Sequence, residues 1–172
     1  MKQSGFTLIE LLISVSIAAL VLAGALNLTQ SALKAWVINR AKAEVEQVLR
    51  IGLDTLTRDA RYATSAKTMV LNGVLILTLT DPLGDILDFK HEPDTEALSR
   101  QITNSDGNNA GYQAIAGDGT NKKPGSVVII ANPDQAPLFA VNGKLVSVTL
   151  TALHRKTGVR ATMHTKIFCL NI

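Results

Sequence analysis

From Leu11 to Leu33 no side chain carries a charge, and from Phe6 to Leu28 the only charge is Glu10. A helix rises 1.5 Å per residue, so about 20 mostly apolar residues cross the ~30 Å hydrocarbon layer of a bilayer. Phe6-Thr7-Leu8-Ile9 together with Leu11 through Leu28 supplies that length. Lys34, Trp36 and Arg40 follow, residue types that suit a membrane–water interface. The run predicts a membrane helix.

Three readings compete for it. A secretory signal has a charged start, a shorter apolar stretch and a small-residue cleavage site after it. Here the stretch is longer, and Glu10 stands where the apolar core should begin. A plain single-span anchor fits the length but gives no reason for Glu10. A carboxylate at the centre of the hydrocarbon costs about 2.5–3.5 kcal/mol on insertion scales, and less near an end. Glu10 therefore needs a partner or a task. Charge counting leaves the orientation open, since Lys2 lies before the run while Lys34, Arg40 and Lys42 lie after it, diluted by Glu44 and Glu46.

The third reading rests on Gly5-Phe6-Thr7-Leu8-Ile9-Glu10-Leu11-Leu12. This stretch resembles the processing site of type IV prepilins and type II secretion pseudopilins. The resemblance implies a basic leader, residues 1–5, removed by a prepilin peptidase between Gly5 and Phe6, with Phe6 becoming the N-methylated mature terminus. It places Glu10 at the family's assembly glutamate. It puts the leader in the cytoplasm, the rest outside a bacterial inner membrane, and the finished subunit in a pilus or pseudopilus. Implied partners are the peptidase, other pilins or pseudopilins, an inner-membrane assembly platform and membrane lipid. In a fibre, the Glu10 carboxylate of one subunit can neutralise the Phe6 amine of a neighbour, and breaking such a buried pair is costly.

Beyond the run, 172 residues suggest one compact domain plus a helical extension. The division expected is leader 1–5, transmembrane and polymerisation helix 6–33, and a globular domain 34–172 that includes the amphipathic half of the helix. A net charge of +3 with scattered cations disfavours nucleic acid as a partner, as do the few aromatics. The lone Cys169 excludes an intrachain disulfide and a multi-cysteine metal site.

Val37, Ala41, Val45, Val48, Leu49, Leu53, Leu56 and Ala60 recur at helical spacing, so one helix is expected from about Phe6 to about Tyr62. Gly24 and Gly52 look like weak points in it. Strands are expected at Val74 to Thr80, Ile86 to Lys90, Ala97 to Ile102, Ser126 to Ala131 and Pro137 to Val141. A last hairpin is expected from Leu145 to His154 and Val159 to Leu170. Asn72-Gly73 and Asp81-Pro82-Leu83-Gly84 read as turns, and Asn104 to Pro124 as a long surface loop. The fold class is α+β: a long N-terminal helix, half membrane and half amphipathic, packed on an antiparallel sheet. This agrees with the pilin-like fold that the N-terminal motif implies.

Thr57-Arg58-Asp59-Ala60-Arg61-Tyr62-Ala63, with the strand–turn–strand of Leu75 to Lys90, resembles J-type minor pseudopilins and W-type minor pilins. His91, His154 and His164 lack metal-ligand spacing, although His154 and His164 are placed to face each other across the last hairpin. Asp106, Asn108 and Asp118 lack the spacing of an EF-hand loop. Gly117 to Lys123 lacks the Walker spacing, and no Ser-His-Asp set has supporting context. No catalytic residue, metal or cofactor is expected. The leading expectation is a structural, minor assembly subunit and not an enzyme. The alternative is a membrane-tethered module that binds DNA or a secreted substrate through the 104–124 loop.

Overall fold

One helix, α1, spans Leu8–Tyr62. The computed structural model describes residues 7–92, 94, 96–117, 126–130 and 137–172. The expected leader, the Gly5–Phe6 junction, Asp118 and most of the Gly117 to Lys123 stretch lie outside the described residues.

The chain divides into two units, Met1–Arg40 and Ala41–Ile172. In the first, the described helix presents its apolar side chains outward all round, with Leu8, Leu12, Leu20 and Leu28 each more than half exposed. It is the one helix among the described residues long and apolar enough to cross a membrane. Three of its hydroxyls do not interrupt that surface. Ser14 donates to the Glu10 carbonyl (2.7 Å), Ser16 to Leu12 (2.8 Å) and Thr29 to Ala25 (2.9 Å), so each is satisfied inside its own helix. Near the end of this unit the Arg40 guanidinium lies over the Trp36 ring, 5.6 Å from its centre.

In the second unit α1 is amphipathic. Ala41, Val45, Leu49, Gly52, Leu56 and Ala60 form one buried stripe at three- and four-residue steps. Val48 and Leu53 flank it, whereas Val37, expected on the same face, is exposed. The stripe packs on two antiparallel sheets. The first follows chain order, with β1 (Ser65–Leu71), β2 (Val74–Thr80), β3 (Ile86–Glu92), β4 (Ala97–Thr103) and β5 (Gln113–Ala116). In the second, β6 (Val127–Ile130) and β7 (Phe139–Asn142) pair along one side of β8 (Leu145–His154), and β9 (Arg160–Phe168) pairs on the other.

Alternation fills the core. Leu77, Leu79, Leu87, Phe89 and Leu98 of the first sheet, with Val146, Val148, Leu150 and Ala152 of the second, are buried beneath the helix. Arg100 shares the inner face with Leu98 but reaches Asp59 of α1 at 2.8 Å, so its charge is matched. The sheets are joined at β6. The Ile129 N–H donates to the Glu96 carbonyl (2.7 Å) and its carbonyl accepts from His91 Nε2 (2.8 Å). The Arg155 guanidinium also pairs with the Glu96 carboxylate.

The α+β expectation holds, with two strands more than anticipated. β1 precedes the Asn72-Gly73 turn, whose positive φ values of 52° and 79° suit a tight hairpin. β5 lies inside the stretch expected to be loop, paired to β4 across a bulge. The Gly52 expectation is corrected as well. Gly52 is buried in the helix–sheet seam, with Leu98 of one sheet and Leu150 of the other beside it.

Candidate functional site

The charged start of α1 is the feature that sequence singled out most strongly. Thr7 is the residue before the first helical turn and Glu10 is three positions on. The Thr7 N–H and hydroxyl both donate to Glu10 Oε2, at 3.0 and 2.9 Å. In return the Glu10 N–H donates to Thr7 Oγ1 at 3.4 Å. This reciprocal arrangement is a capping box, which satisfies amide donors that the first turn of a helix otherwise leaves free. The negative carboxylate also sits at the positive end of the helix dipole.

Glu10 therefore has a partner within its own chain. Thr7 was not among the residues assigned a role from sequence, although Thr-x-x-Glu before an apolar run is the signature of this cap. The carboxylate keeps further acceptor capacity, since Oε2 alone takes both Thr7 bonds. An ammonium group arriving beside it has an oxygen to meet. Gly5 and Phe6, the expected processing residues, lie outside the described residues.

The histidines fall elsewhere. His164 sits opposite Thr149, not His154, and its Nδ1 lies 2.9 Å from the Thr149 hydroxyl. His154 is at the far end of β8, where Nδ1 accepts from the Thr157 N–H (3.3 Å) and Nε2 lies 3.5 Å from Glu44. The expected His154–His164 pairing is thus corrected by the register, which matches Thr149 with His164 and Leu153 with Arg160. His91 spends its Nε2 on the Ile129 carbonyl.

Asp106 and Asn108 are exposed in the turns after β4, where the Asn104 N–H donates to the Asn108 carbonyl at 2.9 Å. Among the described residues no group of three or more His, Cys, Asp or Glu side chains is arranged to hold a metal ion. Cys169 is wholly buried, and burial pushes its thiol pKa up. A thiol held in that state is a poor nucleophile.

Comparison with known proteins adds one match. Residues 1–26 fit the family described as the prokaryotic N-terminal methylation motif. No curated protein and no solved structure matches the chain. The matched segment contains Gly5, Phe6, the Thr7–Glu10 cap and most of the charge-free run. The chain thus carries a type IV prepilin-like N-terminus, with the methylation motif leading into a helix of membrane-spanning length.

Proposed function

We propose that this protein is a structural subunit, of the minor class, of a type IV pilus or type II secretion-like pseudopilus. It is cleaved between Gly5 and Phe6, methylated on Phe6 and assembled through its N-terminal helix. The observation that carries this reading is the methylation motif, which runs directly into a helix whose one charge near its start is Glu10. The cap on Thr7 would serve any membrane anchor, whereas a subunit that must match a neighbour's new amine gives the acid a second use.

On this reading the subunit crosses the inner membrane once, with its α+β domain outside, until it enters the fibre. Its partners are the prepilin peptidase, other pilins or pseudopilins, the assembly platform and lipid. Its work is packing and not catalysis, so neither Glu10 nor Phe6 has a catalytic role. The strand–turn–strand after the Thr57 to Ala63 helix end supports a relation to J-type minor pseudopilins and W-type minor pilins.

The test is intact-mass analysis after co-expression with a prepilin peptidase. Loss of Met1 to Gly5 and a methyl group on Phe6 are expected. A bulky residue in place of Gly5 should leave the precursor uncut in the membrane fraction. Cleavage beyond Ala25 would instead identify an ordinary signal peptide and end this proposal.

A further inference from the structure

β9 is the edge strand of the second sheet, hydrogen-bonded to β8 alone among the described strands. Residues 135–172 hold Lys144, Arg155, Lys156, Arg160 and Lys166, and no aspartate or glutamate. Arg155 is matched by Glu96, while Arg160 and Lys166 stand exposed along β9 with no ion pair among the described residues. The hairpin fixes which main-chain groups face outward. The His154 N–H donates to the Val159 carbonyl at 2.7 Å. The alternation of an antiparallel ladder then points Ala161, Met163, Thr165 and Ile167 at β8, and Thr162, His164 and Lys166 at the open edge.

Toward its end this edge becomes a groove of about 440 Å³, bounded by Thr57 and Arg61 of α1 on one side and by Thr165 to Phe168 and Leu170 on the other. Phe168 and Leu170 are each 59% exposed. Two large apolar side chains thus lie open beside two cations, Arg61 and Lys166, that have no ion pair among the described residues. A lysine on an edge strand is an ordinary guard against unwanted pairing. That role explains neither the second cation, supplied by the helix, nor the apolar pair.

We propose that this groove takes an extended acidic segment of a partner protein, added to β9 as a further strand. Its carboxylate lies between Arg61 and Lys166, and an apolar side chain lies on Phe168 and Leu170. A free edge of N–H and C=O groups suits a peptide, as in strand addition. A nucleic acid is the poorer fit, because Phe168 is the one aromatic among the described residues of the groove and bases bind by stacking on several. The proposal draws on the assembly reading only in taking the partner to be a protein. Its test reads binding by the folded domain and is unaffected by how the N-terminus is processed.

The experiment uses the full chain in detergent micelles and a labelled, end-blocked peptide that alternates glutamate with valine and threonine. Fluorescence anisotropy should show binding that weakens as salt rises. Arg61→Glu with Lys166→Glu should weaken it about tenfold or more, equivalent to about 1.4 kcal/mol. The milder Arg61→Gln with Lys166→Gln pair, checked by near-UV circular dichroism, guards against misfolding as the cause. Phe168→Ser with Leu170→Ser should also weaken binding. Methylating alternate peptide nitrogens should abolish it, because the main-chain bonds are then lost. Binding indifferent to the cations or to N-methylation overturns the proposal, as does no binding at all. Tighter binding of an oligothymidylate than of the peptide would overturn it in favour of a nucleic acid.

Discussion

Gly52 faces Ala116 so closely that a Cβ on the glycine would lie 2.9 Å from the alanine's own. Leu98 and Leu150 stand 3.4 Å from the same point, so the added methyl is bordered by side chains of both sheets. Gly52→Ala should therefore destabilise the domain by about 1–3 kcal/mol, in spite of alanine's better helix propensity. Gly24 has nothing within 4 Å of its added Cβ, and Gly24→Ala should leave the domain's thermal midpoint unchanged. Thermal unfolding of the two variants side by side checks this. Equal midpoints would mean that the helix can shift off the seam freely.

The cap between Thr7 and Glu10 separates two roles that a single substitution would confuse. Thr7→Ala and Glu10→Ala should both loosen the first turn, each by about 1 kcal/mol, read as faster amide exchange at Leu8 to Leu11 in micelles. Under the assembly proposal Glu10→Ala should also abolish incorporation into sheared fibre material, since breaking a buried charge pair costs ~3–5 kcal/mol. Glu10→Gln should rescue the cap but not incorporation. Thr7→Ala should incorporate nearly normally. If Thr7→Ala fails as badly as Glu10→Ala, helix capping and not charge pairing is what assembly requires.

Cys169 makes stability depend on alkaline pH in a defined direction. Burial raises its folded pKa, so above the unfolded value of about 8.5 the unfolded chain has lost a proton that the folded chain still holds. Unfolding is then favoured as pH rises, and stability present below about pH 8.5 is lost above it, by at most ~1.4 kcal/mol per pH unit. Cys169→Ala should flatten the part of the slope due to this thiol in urea titrations above that pH. In the native protein the thiol should react with Ellman's reagent only as fast as the domain opens. A rapid native reaction would show that the site is open to solvent.

The chain's last residues close the C-terminal end of α1. The Leu170 N–H donates to the Arg61 carbonyl and the Asn171 amide to the Tyr62 carbonyl, both at 2.9 Å. These are orphan carbonyls of a helix end. Asn171→Ala should cost about 0.5–1.5 kcal/mol, and removing residues 170–172 more than that. Hydrogen exchange should quicken first in the last helical turn. Unchanged protection there would show that water replaces the tail without cost.

The helix and the last hairpin were legible because each repeats its pattern long enough to be read. α1 gives several turns of three- and four-residue steps, and β8 alternates Val146, Val148, Leu150 and Ala152 with polar neighbours. β1 was not legible as a strand. It is an edge strand exposed over most of its length, so burial leaves little pattern on Ser65–Leu71. β5 is four residues held by pairing with β4 across a bulge, and no local pattern encodes a distant partner. The packing at Gly52 leaves no trace in the sequence, because propensity records what a residue does to a helix, not what stands opposite it. At the candidate site the importance of Glu10 was plain from its isolation in an apolar run. Its bond to Thr7 is equally present in the Thr-x-x-Glu spacing.

β8 has partners that count residues from both directions. Near its start Val146 and Val148 are set against Val141 and Phe139, near its end Ala152 against Ile129, and along its other side Met163 and Ile167 are matched without a gap. One residue inserted at its middle would leave either the β6 end or the β7 end one step out of phase. The displaced half would turn valines outward and threonines inward. Changes of length among relatives of this domain should therefore collect in the stretches between β5 and β6 and between β6 and β7. Ten consecutive positions of β8 should show neither insertion nor deletion.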